Sequence, residues 1–110
     1  MQGTTSAPDA RIVQTGFGFE VHPRVVFKRA RETFTLLNNT DSDVVVSFPV
    51  LPVDPSRAEM GPRVTRTFNI LDAGPGIYDY RVELTVTDTR SNRLTFRASG
   101  GSDPEIIIDT

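Results

Sequence analysis

Gly74-Pro75-Gly76-Ile77-Tyr78-Asp79-Tyr80-Arg81-Val82-Glu83-Leu84-Thr85-Val86-Thr87-Asp88 is the stretch that decides the fold class. Tyr78, Tyr80, Val82, Leu84 and Val86 alternate without a break with Asp79, Arg81, Glu83, Thr85 and Thr87. A period of two puts the apolar side chains on one face of an extended chain and the polar ones on the other. Gly74-Pro75-Gly76 is a turn through which no helix continues. The reading is one long, half-buried strand.

The same alternation recurs on both sides. Phe17, Phe19 and Val21 share one parity, with glycines at 16 and 18 marking a bulge or a close backbone approach. After Pro23, Val25 and Phe27 are expected to point inward. Lys28 to Arg31 reads as a charged turn. Phe34 and Leu36, then Val44, Val46 and Phe48, face the core from the arms of a hairpin over 32–49, joined by the turn cluster Asn38 to Asp43. Phe68 and Ile70 make a further inward set, although Arg66 falls at the same parity. Leu94 and Phe96 return after a turn at 88–92, Ser99 to Pro104 is a corner, and Ile106 and Ile108 close the chain with Ile107 on the other side. Short alternating strands with regular turns predict an all-β, Greek-key sandwich of about seven to eight strands. Residues 1–10 read as a flexible polar tail and 11–110 as one domain. Residues 49–63 carry Pro49, Pro52, Pro55 and Pro62 and read as the one long irregular connection.

Composition narrows the function classes. A chain of 110 residues buries roughly two-thirds of its unfolded surface, enough for one core. No cysteine is present, so disulfides, thiolate metal sites and cysteine nucleophiles are excluded. A net charge of -2, with Lys28 the only lysine, offers no nucleic-acid or polybasic membrane footprint. No apolar run reaches the ~20 residues that span a bilayer. The N-terminus lacks the basic and apolar regions of a signal peptide, which leaves a cytoplasmic protein as written, or an extracytoplasmic one whose leader was removed.

Chemistry-bearing groups are sparse. His22 is the sole histidine, so triads and histidine-pair metal sites are excluded, and it reads as a solvated residue beside a proline. Asp41-Ser42-Asp43 lacks the oxygen spacing of a calcium loop and reads as turn caps. No serine has a base supplied by spacing. Arg24 and Lys28 to Arg31 form the densest charge, read as a solvated turn and a charged strand edge.

Gly76-x-Tyr78-x-Tyr80-x-Val82 resembles the cupredoxin pattern in which a glycine, two aromatics and a copper-ligating cysteine alternate along a strand. Asn38 to Val44 resembles the asparagine-rich turn that leads to that family's first histidine, and Gly101 to Ile108 its last strand. The resemblance implies a cupredoxin-like sandwich over residues 17–109. It places the histidine ligands on Val44 and Thr85, the cysteine on Val82 and the methionine near Arg90, so a blue-copper centre lacks its ligands. A second pattern, Val21-x-Pro23-x-x-Val26-Phe27 followed by Thr33-x-Thr35-Leu36-x-Asn38, is similar to the opening of immunoglobulin-like domains of the major sperm protein or pilus-chaperone type.

The expectation is therefore a non-catalytic β-sandwich without metal or cofactor, working through another protein or through self-association, with no nucleic acid and no membrane insertion. The alternative is a structural subunit of a larger bacterial or phage assembly. Apolar residues at the parity opposite to the core, Val26, Leu37, Val45, Ile77 and Ile107, are the candidate contact residues. Val50, Leu51, Val53 and Met60 of the proline-rich stretch complete the set.

Overall fold

Half-buried alternation needs a second layer to cover its apolar side, and the chain supplies one. The computed structural model describes residues 7–16, 18–87, 90, 93–97 and 103–109, with backbone alone for 86–87 and 93–97. Twelve strands run through them: β1 (Ala10–Thr15), β2 (Gly18–His22), β3 (Val25–Lys28), β4 (Thr33–Asn39), β5 (Asp43–Ser47), β6 (Val53–Asp54), β7 (Arg57–Met60), β8 (Thr65–Ile70), β9 (Gly76–Asp79), β10 (Arg81–Thr87), β11 (Arg93–Arg97) and β12 (Glu105–Ile108). They form a five-stranded sheet ordered β2-β1-β4-β8-β6, a four-stranded sheet ordered β11-β10-β5-β7, and a three-stranded sheet ordered β3-β12-β9. The fold is an all-β sandwich. Phe34 and Phe68 on the five-stranded sheet meet Phe48 and Tyr80, which flank the four-stranded one, at centroid distances of 4.9–6.3 Å.

The 74–88 stretch keeps its alternation but is two strands, not one. β9 pairs with β12, whereas β10 pairs with β5 and β11. The break falls at Tyr80, whose N–H leaves both ladders and donates to the Pro104 carbonyl at 2.9 Å. Tyr80 is fully buried, stacked on Phe48 and edge-on to Phe34. Burial pushes its phenol well above the ordinary tyrosine value, and its hydroxyl has no hydrogen-bond partner among the described residues. A buried hydroxyl without a partner opposes folding, and removing it leaves the ring contacts in place. Tyr80→Phe is expected to stabilise the fold by about 1 kcal/mol. A lower urea midpoint for the variant would contradict this.

Four further expectations are corrected. The 32–49 segment is not a hairpin: β4 belongs to the five-stranded sheet and β5 to the four-stranded one, so the turn at 40–42 crosses between layers. The 49–63 stretch is not irregular. β6 pairs with β8 and β7 with β5, two short strands at sheet edges, where prolines between them interrupt no ladder. In β3 the inward residue is Val26, while Val25 and Phe27 face outward. Asp9 and Ala10 belong to the fold: Asp9 exchanges backbone and side-chain hydrogen bonds with Thr35 and pairs with Lys28 at 3.0 Å, and Ala10 is buried. Phe17, residues 99–102 of the expected corner and 88–89 and 91–92 of the expected turn lie outside the described residues, as do the side chains of Val86, Leu94 and Phe96.

β1 and β2 form a hairpin, and β1 also pairs in parallel with β4. Gly18, at φ 151°, opens β2 in a conformation that a side chain would strain. Arg66 points out to solvent despite its parity.

Candidate functional site

In the three-stranded sheet, two neighbouring strands carry more apolar residues than the core has room for. Val25-Val26-Phe27 and Ile106-Ile107-Ile108 carry apolar side chains at both parities. Val26, Ile106 and Ile108 fill the core, so their neighbours are left outside. β12 pairs in parallel with β3 and antiparallel with β9, which sets Ile107 directly between Phe27 and Ile77. Strand spacing of ~4.8 Å makes these three a continuous row across the sheet. Phe27 is 70 % exposed and Ile77 65 %. Ile107, between them, is half-buried.

The next row on this face is Val25, Glu105 and Asp79, again in cross-strand register. Val25 and Asp79 are exposed and Glu105 is half-buried. Beyond the opposite side of the apolar row, Lys28, Arg29, Glu32 and Asp109 line a shallow depression with Phe27.

The outward faces of the other two sheets differ. Leu37 stands between Arg11 and Thr65, and Val45 between Glu83 and Glu59. Both are half-buried single apolar residues covered by longer or polar neighbours. Of the nine candidate contact residues, Ile77 and Ile107 come together in the row. Val50, on the β5–β6 connection, is 72 % exposed and outside the row. Val26, Leu51, Val53 and Met60 are buried in the core and offer no surface, because β3 turns its middle residue inward and β6 and β7 fold the proline-rich stretch onto the sandwich. Phe27 was missed by parity. The doubled apolar runs in β3 and β12 were the signal that could have found it.

Groups that carry chemistry are dispersed. His22, which is exposed, lies 3.6 Å from the half-buried Glu20. Among the described residues, no group of three or more His, Cys, Asp or Glu is placed to hold a metal ion. The two positions that the cupredoxin pattern gives to ligands, Val44 and Val82, are packed in the core. The basic turn is largely neutralised, with Lys28 on Asp9 and Arg31 on Asp72 at 2.9 Å. Hydrogen bonding and the charge of Arg31 lower the Asp72 carboxyl, so this exposed pair favours the folded chain at neutral pH and ceases to do so as acid protonates Asp72.

Among the described residues, Asn38 and Thr40 form a buried polar cluster. Asn38 Nδ2 donates to the carbonyls of Ser42 at 2.8 Å, Gly61 at 2.9 Å and Met60 at 3.2 Å. Its Oδ1 accepts from the Thr40 hydroxyl at 2.7 Å and the Thr40 N–H at 3.1 Å. Arg63 locks the same turn from outside, bonding Asn39 and Asp41. The cluster is saturated by its own backbone and leaves no polar atom aimed at a ligand.

No family, curated protein or solved structure matches this chain with significance.

Proposed function

We propose that this chain is a non-catalytic interaction module that binds another protein through the outward face of the three-stranded sheet. The observation that carries the reading is the row Phe27–Ile107–Ile77, an aromatic and two isoleucines in register, whereas Leu37 and Val45 on the other two sheets each have polar or charged residues as both cross-strand neighbours. Exposed apolar rows rimmed by charge are what protein contact surfaces are made of, and aromatic residues are enriched at their centres. The dispersal of His22, the carboxylates and the serines supports a role without catalysis or metal.

The fold reading that fits best is immunoglobulin-like rather than cupredoxin-like. Tyr78 Oη donates to the Gly74 carbonyl at 2.7 Å where the chain enters β9, the arrangement of a tyrosine corner. The neighbour orders β1-β4-β8-β6 and β11-β10-β5-β7 follow the two sheets of such domains. The parallel β1 beside β4, and β6 preceding β7, depart from that plan.

The test is site-specific photo-crosslinking in cells, with the reactive side chain placed at position 27, 77 or 45 in turn. Positions 27 and 77 are expected to give the same discrete adduct with a second protein, and position 45 none. Phe27→Ser, a surface change worth within about 0.5 kcal/mol of stability, is expected to remove the adduct formed from position 77. Equal labelling from all three positions, or none from 27 and 77, would defeat the proposal.

A further inference from the structure

We infer that the partner segment received by this face is a short stretch of protein whose apolar side chains are flanked by lysine or arginine. The inference rests on the reading of the three-stranded sheet as the contact face and adds the chemistry of what it takes. Glu105 and Asp79 are direct cross-strand neighbours beside the apolar row. Two like charges so placed repel, since paired residues hold their Cβ atoms ~5 Å apart. Neither carboxylate is in an ion pair among the described residues, although Asp9, Asp41 and Asp72 each have a cation. A cation set between them by a partner relieves the repulsion at the moment the apolar row is covered. The face thus asks for a basic group within one side chain's reach of apolar ones.

Size decides against a second copy of the chain as the occupant. Three strands at ~4.8 Å spacing and four residues at ~3.3 Å rise give a footprint of about 14 by 13 Å. That is a fraction of the ~800 Å² per partner that a stable interface between globular proteins buries. It suits one extended strand or one helical face. The far end of the row is mixed in sign, with Lys28 and Arg29 beside Glu32 and Asp109, and Lys28 is already paired with Asp9, so the two adjacent carboxylates of the Glu105–Asp79 side are what a basic flank is matched to.

The experiment displays a library of random short peptides, pans it on the full chain, and measures enriched peptides by fluorescence anisotropy. Wild type, Phe27→Ser, Ile77→Ser and the double variant Asp79→Asn/Glu105→Gln are compared, each first shown by its urea midpoint to be folded. Enriched peptides are expected to carry apolar residues with an excess of Lys and Arg. They are expected to bind either serine variant at least about tenfold more weakly. The double variant is expected to weaken binding by about tenfold as well, a difference that shrinks as salt is added. Peptides that need Phe27 but carry no basic excess and ignore the double variant overturn this inference while leaving the face as a contact surface. Binding indifferent to every variant, or no enrichment over a blank support, overturns both readings. A dimer in sedimentation that Phe27→Ser dissolves makes the occupant a second copy, and that too overturns the inference.

Discussion

Asn38→Ala is expected to destabilise the fold by about 3 kcal/mol, a large share of the ~5–15 kcal/mol that holds a domain of this size together. The Asn38 side chain is fully buried and uses both ends. Its amide serves three carbonyls, from Ser42, Met60 and Gly61, and its oxygen takes two donors from Thr40. Removing one partner of a buried hydrogen bond leaves the other to bear its desolvation, ~1–3 kcal/mol for each group. Once Asn38 Oδ1 is gone, the Thr40 hydroxyl can turn its single proton to the Ser42 carbonyl 3.1 Å away, so the losses do not simply add. Asn38→Asp is expected to be at least as damaging near neutral pH, because it sets a carboxylate against three carbonyl oxygens. Its defect is expected to lessen in acid. A carboxyl buried among carbonyls titrates above its unfolded value, so its proton, and the one hydrogen bond that proton restores, is present below that range and lost as pH rises through it. Urea unfolding at two pH values measures both variants. An alanine variant within about 1 kcal/mol of wild type would mean that water replaces the amide.

That turn is also where sequence reading went furthest wrong. Phe34, Leu36, Val44 and Val46 were legible as inward residues because a sandwich buries one parity of every strand, whichever sheet the strand joins. The same rule makes a hairpin and a crossing between layers look identical in sequence, since both carry alternating arms around a short polar turn. What separates them is tertiary. Asn38 reaches the carbonyls of Met60 and Gly61, on the β7–β8 turn, and this ties the β4 end to an element no local pattern names.

The break at Tyr80 was illegible for a related reason. Its parity is right for an unbroken strand, and only the Pro104 carbonyl, 24 positions further along the chain, draws its N–H out of the ladder. β3 was read a residue out of phase because Val25-Val26-Phe27 has no period at all. Its phase is set by β12, through the pairing of Val26 with Ile106. The face proposed for binding follows from that misreading. Where two neighbouring strands are apolar at both parities, one set fills the core and the other is committed to the surface. Solubility alone gives no reason for Phe27 and Ile77 to remain apolar there.

Phe34→Ala is expected to be the most destabilising single substitution among those considered, by about 4 kcal/mol. Phe34 is fully buried on β4, at the centre of the five-stranded sheet, and its ring lies 5.4 Å from Tyr80 and 6.3 Å from both Phe48 and Phe68. Truncation removes an aromatic side chain from between the layers, which costs ~3–5 kcal/mol in transfer and cavity terms. Two of its ring contacts are edge-on, a geometry worth ~0.5–1.5 kcal/mol each beyond area, though part of that is already in the truncation figure. Relief is limited, because Tyr80 is pinned by Pro104 at its backbone and cannot slide into the space without giving up that bond. Phe34→Leu keeps most of the volume and loses the edge-on pairing, so it is expected to cost about 1.5 kcal/mol and to separate shape from size. At ~4–8 °C for each kcal/mol in a domain near this length, the alanine variant should melt at least ~15 °C lower than wild type. A shift below about 5 °C would mean that the two layers close over the gap, and that the aromatic cluster does not hold them at a fixed separation.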